Sequence, residues 1–292
     1  MKLPPEFPPG RGLFAAHPRT FAENRYVYPV LSRRAGGISI GVNINLDKAC
    51  NFKCIYCQVD RTAAEAEQLV DLDRLMRELE WTAALVTSGE IYQHTPFDST
   101  PAPLRRLSDI ALSGDGEPTI YARFDEVVAA CAEVRRRLGL DAVKLVLISN
   151  ASMFHHDRVQ RSLEILDATG GEIWAKLDTG TEAYYRRVAR SAVPWTQILA
   201  NLAETARRRP IVIQSLFARI RGEPPPPAEQ EAYCQRLGEI LAAGGQIKLV
   251  QIYTVARAPA ESWVTPLSDG EIDSLAALVR CRAGLPVAGF HS

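Results

Sequence analysis

The chain has 292 residues, and its 34 Lys and Arg residues balance 34 Asp and Glu residues to a formal net charge of zero. Hydrophobic residues make up 47% of it, enough for a sizeable core, and the neutral charge argues against a chain-wide electrostatic footprint for nucleic acid. No apolar run reaches about 18 residues and residues 1–10 lack a signal-peptide core, so we expect a cytoplasmic protein without a membrane span.

Short apolar runs alternate with helical periodicity along the chain. The apolar runs predict strands at residues 38–44, 109–112, 143–148, 172–177, 210–217 and 246–253. The helical pattern predicts helices at residues 72–79 after an N-cap at Asp71, and at 124–138, 156–167, 181–190, 195–207, 228–243 and 269–283. Six strand-then-helix units favour a parallel sheet with outer helices, and ligands are then expected at the carboxyl ends of the strands.

Three cysteines follow the first predicted strand within eight residues. Cys50, Cys54 and Cys57 have the spacing C-x3-C-x2-C, and three thiolates on one loop can hold three irons of a cubane cluster while the fourth iron stays open. A structural zinc site is the alternative, but zinc usually takes four protein ligands and the other cysteines form no second pair. A second alternative is three incidental buried thiols, which does not explain their clustering.

The second predicted strand ends in Ser113-Gly-Asp-Gly-Glu-Pro-Thr119. Its glycines allow a ligand to approach the backbone closely, and Glu117 supplies a carboxylate. By itself the segment also fits a plain turn.

Polar residues end the later strands too. Ser149 and Asn150 end the third and Asp178 ends the fourth, and such residues also suit helix capping. Gln214 is expected to face the interior, where it needs a partner. Arg257, after the sixth strand, suits a carboxylate or phosphate, although a surface arginine is the alternative.

The cysteine spacing, with the aromatic Tyr56 before the last cysteine, resembles the radical S-adenosylmethionine (SAM) superfamily. The resemblance implies a partial (β/α)6 TIM-like barrel in residues 37–292, with residues 1–36 as an N-terminal extension packed on it. It implies one [4Fe–4S] cluster on Cys50, Cys54 and Cys57, with SAM bound at the open iron. Reductive cleavage of SAM then gives a 5′-deoxyadenosyl radical that abstracts hydrogen from a substrate, with a flavodoxin or ferredoxin-like electron donor.

The resemblance also assigns roles to residues at the strand ends. It implies that Tyr56 lies near the SAM adenine, and that a Gly-Asp-Gly-Glu segment binds the SAM ammonium group in place of the superfamily's Gly-Gly-Glu. The residues of that segment are Gly114, Asp115, Gly116 and Glu117. Other expected SAM contacts are Ser149, Asn150, Asp178, Gln214 and Arg257.

Within the superfamily, the chain resembles the wyosine-synthesis-like branch over roughly residues 25–265. Segments that carry this likeness are Ser32-Arg-Arg34, Cys57-Gln58, Lys176-Leu-Asp178 and Val250–Arg257. No cysteine precedes Cys50, however, so the second cluster of the archaeal wyosine-forming enzymes has no ligands here. A tRNA-modifying enzyme and a non-catalytic, metal-containing RNA-binding module stay open as alternatives. Arginine-rich segments at 135–137, 186–187 and 207–209 leave an RNA substrate open, although such runs are typical of solvated helix faces.

Overall fold

A computed structural model describes residues 21–60 and 69–291 of the chain. Contacts divide these residues into two compact units that alternate along the sequence. Unit 1 contains the described residues up to 49, then 69–148 and 157–172, and unit 2 contains residues 50–60, 149–156 and 173–291.

Unit 1 is a four-stranded sheet with three helices. Its strands are β1 (Val27–Ser32), β2 (Gly37–Val42), β3 (Leu107–Leu112) and β4 (Lys144–Ser149). Its helices are α1 (Leu72–Thr87), α2 (Phe124–Arg137) and α3 (Asp157–Ala168). Short 3-10 turns lie at Glu90–Gln93, Phe97–Ser99, Ala102–Leu104 and Pro118–Ile120. The sheet runs in the order β1-β2-β3-β4, and β2, β3 and β4 are parallel.

Strand β1 was not predicted from the sequence. It pairs antiparallel with β2 along its whole length, from Val27 opposite Val42 to Ser32 opposite Gly37. Pro29 lacks an amide proton and therefore suits an edge strand such as β1. The predicted extension, residues 1–36, lies partly outside the described residues, and its described end contributes this strand.

Unit 2 contains four parallel strands, a short antiparallel pair and four helices. Its strands β5 (Glu172–Lys176), β6 (Ile211–Leu216), β8 (Ile247–Tyr253) and β10 (Val287–Phe290) pair in that order. A separate antiparallel pair consists of β7 (Ala218–Ile220) and β9 (Val264–Pro266). Its helices are α4 (Glu182–Ala189), α5 (Trp195–Arg208), α6 (Pro227–Ala242) and α7 (Asp269–Ala283).

Capping side chains mark the starts of α1 and α7, and a glycine follows the end of α6. The Asp71 side chain accepts the amide of Arg74 at 2.9 Å and caps α1. A capping box between Ser268 and Glu271 begins α7. Gly244, at φ +82°, follows the end of α6 in the left-handed region, which favours glycine.

The mixed α/β class, with parallel strands and strand-to-helix alternation, is therefore confirmed. All six predicted strands and all seven predicted helices are present, with bounds within a few residues of those expected except at α1, which extends eight residues beyond Leu79. Among the described residues, no helix is both long and apolar enough to cross a membrane.

Candidate cofactor site

The cysteine loop, residues 50–58, lies in unit 2. The sulfur of Cys50 accepts the amide of Phe52 at 3.4 Å, and the amide of Cys57 donates to the carbonyl of Cys54 at 3.0 Å. All three thiols are half-buried. The loop therefore folds back on itself, and its three cysteine residues are neither fully buried nor fully exposed.

Backbone hydrogen bonds hold the loop against its surroundings. On one side, the amides of Lys53 and Ile55 donate to the carbonyls of Ala189 and Val188, at the end of α4, at 2.9 and 3.0 Å. The Ile55 side chain is buried in an apolar cluster of this unit.

On the other side, the segment after β8 is hydrogen-bonded to the end of the loop. The amide of Ala260 donates to the carbonyl of Cys57 at 2.7 Å, and Gln58 Nε2 donates to the carbonyl of Arg257 at 3.2 Å. The backbone of Arg257 is thus bonded to Gln58, the residue after the third cysteine.

In the described part of the chain, no three His, Cys, Asp or Glu side chains converge into a metal site. The loop brings the three cysteines together in one segment but does not arrange their sulfurs as a ligand set. Burial raises the pKa of the Cys54 thiol to about 12, and the Asp178 carboxylate adds to the rise. A thiolate there therefore needs a cation beside it, which an iron–sulfur cluster would supply. The soft three-thiol donor set fits such a cluster by its chemistry.

Tyr56 belongs to a hydrogen-bonded network at the end of β5. Its hydroxyl donates to Asp178 Oδ2, while Lys176 Nζ lies 2.8 Å from Asp178 Oδ1 and donates to the Tyr253 hydroxyl at 2.7 Å. Burial and the Asp178 carboxylate hold the pKa of Tyr56 well above its ordinary value, so its phenol is a neutral donor. Burial alone would lower the pKa of Lys176, but Asp178 and Tyr253 outweigh it and raise that pKa.

Gln214 faces the interior of unit 2, as expected, and is 1% exposed. Its Nε2 donates to Gln251 Oε1 on the neighbouring strand at 3.0 Å, and the Tyr253 hydroxyl lies 3.5 Å from its Oε1. The partner that this buried amide requires is therefore another side chain of the protein.

Ser149 and Asn150 form a turn, which differs from the helix-capping alternative because α3 begins only at Asp157. Ser149 Oγ accepts the amide of Ala151 at 3.1 Å, and Asn150 Oδ1 accepts that of Ser152 at 3.0 Å. Asn150 Nδ2 also donates to Asn51 Oδ1 at 2.8 Å. The amide of Asn150 is thereby bonded to the residue after the first cysteine.

The Gly-Asp-Gly-Glu segment lies in unit 1, and close contacts with other residues of that unit explain why its first and third positions are glycines. A Cβ atom on Gly114 would lie 2.2 Å from Asn43 Oδ1, and one on Gly116 would lie 2.0 Å from the carbonyl oxygen of Ala49. Asn43 Nδ2 also donates to Asp115 Oδ2 at 2.7 Å, and Asn43 Oδ1 accepts the Asp115 amide at 3.1 Å. The close approach that glycine permits here is to the protein's own chain.

Glu117 is buried and caps the 3-10 turn that follows it. Its Oε1 accepts the amide of Thr119 at 3.2 Å and the hydroxyl of Thr119 at 2.5 Å. Its own amide donates to the carbonyl of Ala49 at 3.0 Å. The segment is therefore attached to the residue that immediately precedes Cys50 in the sequence.

A small cavity of about 10 Å³, room for roughly one water molecule, lies beside Tyr56 within unit 2. Its wall is mostly apolar, and its polar contributors are Tyr56, Asp178 and Tyr184. The apolar lining residues include Ile55, Val188, Leu216, Phe217 and Ile220.

Sequence reasoning missed three polar residues of these networks. Asn43 and Asn51 are asparagines in strand-end and loop segments, where turn formation is the default interpretation, and Tyr253 ends a buried strand and looks like an ordinary core residue. A signal was present for Asn43, because Val42-Asn-Ile-Asn45 places two polar residues directly after a fully buried strand.

The comparisons with known proteins match different shares of this chain. No family model matches it. The UPF0026 protein of Helicobacter pylori is 28% identical over 142 residues, which are 48% of this chain and 39% of that protein. The chain thus spans about two-fifths of the length of this curated relative.

Two solved structures share the fold. A spore photoproduct lyase, in a variant with one cysteine changed to serine, matches with a TM-score of 0.55 and 11% identity over 92% of this chain and 81% of that one. TYW1 with a lysine-pyruvate adduct bound matches with a TM-score of 0.51 and 17% identity over 85% of this chain and 74% of that one. The two likenesses show that the chain has the fold of these proteins. In motif and in fold, this chain resembles the radical SAM superfamily and its wyosine-synthesis-like branch.

Proposed function

We propose that the chain is a radical SAM enzyme in which Cys50, Cys54 and Cys57 hold one [4Fe–4S] cluster. The observation that carries the proposal is the cysteine loop itself, with three half-buried thiols on a segment that is hydrogen-bonded on both sides within its unit. When bound, the cluster would supply the electron that divides SAM into methionine and a 5′-deoxyadenosyl radical, which would abstract hydrogen from the substrate. The electron comes from a flavodoxin or ferredoxin-like donor.

We assign the adenine of SAM to the apolar wall of the small cavity beside Tyr56, where the superfamily resemblance places it. The wall is apolar, contains a neutral phenol and is formed in part by Ile55 and Tyr56 of the cysteine loop. Apolar walls exclude water, which protects a reactive radical from side reactions. The position of this cavity next to the loop supports SAM as the cofactor.

The polar groups of SAM are assigned to the remaining strand-end residues. Glu117, within the Gly114–Glu117 segment, is proposed to bind the SAM ammonium group, because a carboxylate and an ammonium group form a charge-assisted hydrogen bond. Ser149 and Asn150 are proposed as contacts to the carboxylate or ribose. Arg257 is proposed to bind an anionic group, since its segment is hydrogen-bonded to the third cysteine and the following glutamine. Gln214 already has a protein partner, so we assign it to shaping the interior.

The arginine-rich segments weigh against an RNA-binding module as the main function. Most of their guanidinium groups are ion-paired to carboxylates of the same unit. These pairs are Arg136–Glu133, Arg137–Glu80, Arg186–Glu182, Arg207–Glu204 and Arg208–Glu204. Paired guanidinium groups release fewer counterions on binding phosphates, so the electrostatic gain from RNA is reduced.

The test is anaerobic reconstitution with iron and sulfide. Wild-type protein should be brown, hold about four irons per chain and form 5′-deoxyadenosine from SAM with a reductant. Cys50→Ala, Cys54→Ala and Cys57→Ala should each lose the cluster and the activity. Cys281→Ala, at an exposed cysteine outside the loop, is the control and should match wild type. A colourless protein with one tightly bound zinc would contradict the proposal.

A further inference from the structure

Lys176 is a nearly buried ammonium whose partners are all in its own unit. Its side chain is 14% exposed, and its Nζ contacts Asp178 Oδ1 at 2.8 Å and the Tyr253 hydroxyl at 2.7 Å. It also lies over the rings of Tyr56 and Tyr253, 5.2 and 4.9 Å from their centroids. The ammonium is therefore compensated by a carboxylate, a hydroxyl and two aromatic faces.

The Asp178 carboxylate is bonded by three groups of the same unit. Its Oδ1 receives the Lys176 ammonium and the backbone amide of Leu216, the latter at 2.8 Å, and its Oδ2 receives the Tyr56 hydroxyl. These three donors come from β5, from the end of β6 and from the cysteine loop. The carboxylate is thus a junction that connects two strand ends to the residue directly before Cys57.

Fold stability alone is a weak reason for such a pair. A buried ion pair often stabilises a protein no better than apolar side chains of similar size, because both charges must be desolvated. What the pair does provide is a single geometry, since Tyr56 is directed both by a hydrogen bond to Asp178 and by the cation over its ring.

We infer that Lys176 and Asp178 are positioning residues that fix Tyr56, and with it the cysteine loop, in one orientation. Asp178 is on this view an anchor of the loop and not a contact of SAM, which revises its assignment from the sequence. The inference rests on the proposed function for its purpose, because a loop of cluster ligands must be held to a fraction of an ångström. The hydrogen bonds that carry it are independent of any cofactor.

The first measurement uses protein without iron, so that it does not depend on the cluster. Amide hydrogen exchange reports on the loop amides of Lys53 and Ile55, which donate to the end of α4. Tyr56→Phe removes only the hydroxyl that bonds Asp178, and it should speed exchange of these amides by about tenfold, the factor expected for one charge-assisted bond. Tyr184→Phe is the matched control, because Tyr184 lines the same cavity without bonding Asp178.

The second measurement uses reconstituted protein. Lys176→Met leaves the Asp178 carboxylate without its cation near the loop, so the reduction potential of the cluster should fall and its electron paramagnetic resonance spectrum should broaden. Lys176→Arg should restore both to near wild-type values. Tyr56→Phe combined with Asp178→Asn should perturb the spectrum no more than the stronger single variant, because both changes break the same bond.

The outcomes separate the two proposals. Unchanged exchange, potential and spectrum in Tyr56→Phe and Lys176→Met would overturn the positioning role while leaving the radical SAM assignment standing. Wild-type protein that takes up no iron would overturn the proposed function, and the exchange experiment would still decide whether the pair anchors the loop. Spectral change in Lys176→Met that Lys176→Arg fails to reverse would also count against the positioning role.

Discussion

Asp109 gives a prediction in which both the sign and the size follow from the structure. Its carboxyl is buried on β3 in unit 1, where it accepts a hydrogen bond from the Ser39 hydroxyl. Burial raises its pKa from 3.8 to about 6, although the Ser39 bond opposes the rise. The folded protein therefore keeps this proton over a pH range in which the unfolded chain has lost it.

The free energy of unfolding follows from this difference. Below pH 3.8 the carboxyl is neutral in both states and its contribution is fully present. As the pH rises from there through about 6, that contribution is lost. A shift of this size amounts to about 3 kcal/mol. Asp109→Asn keeps an acceptor for Ser39 and cannot ionise, so it should gain stability relative to wild type as the pH rises from 4 to 8.

Urea denaturation at several pH values measures this difference directly. Comparing wild type with Asp109→Asn at each pH cancels the contributions of the other carboxyl groups. Asp141→Asn, at an exposed position in the same unit, is the control and should show no comparable trend. A difference between Asp109→Asn and wild type that stays constant with pH, or that favours wild type at pH 8, would refute the reasoning.

Two further predictions concern the Gly-Asp-Gly-Glu segment. Gly116→Ala puts a methyl group 2.0 Å from the Ala49 carbonyl and should cost about 1–3 kcal/mol of stability, whereas Gly238→Ala, in open space on α6, should add about 0.5–1 kcal/mol. Thermal unfolding checks both, and equal effects would contradict the crowding argument. Glu117→Ala should keep the brown cluster and weaken SAM binding at least about tenfold, as titration calorimetry would measure. Thr119→Val, which removes the hydroxyl bonded to Glu117, should lower the stability of the protein but leave its SAM affinity at the wild-type value. If Glu117→Ala also binds SAM as tightly as wild type, the segment has only a structural role.

The sequence predicted the elements that depend on local pattern. Asp71 and Ser268 mark helix starts by their capping chemistry, and the apolar runs mark the buried strands. The strands it missed, β1, β7, β9 and β10, depend on pairing with segments that the local pattern does not specify. Two of them have only three residues, which is too short for a periodicity to register.

For the site, the sequence identified which residues lie at the strand ends but not what they contact. The contacts of Gln214 and Asp178 with SAM stay predictions, and in the structure these side chains bond Gln251, Tyr56, Lys176 and the backbone of β6. Most of these partners are dozens of residues away, so no spacing rule reveals them. The cysteine loop could be predicted because its chemistry is confined to one short segment.

The polar residues at these strand ends divide between two tasks. Lys176, Asp178 and Gln214 bond one another or their neighbours, and such a saturated network stiffens the segments that it joins. The half-buried cysteines are instead carried on a loop that is held in place by backbone hydrogen bonds and by the side-chain bond from Tyr56 to Asp178. This arrangement leaves the sulfurs available as ligands while their carrier stays rigid. A site that must position a metal cofactor accurately needs both parts, which is why the buried ion pair belongs in the account of function as well as in the account of the fold.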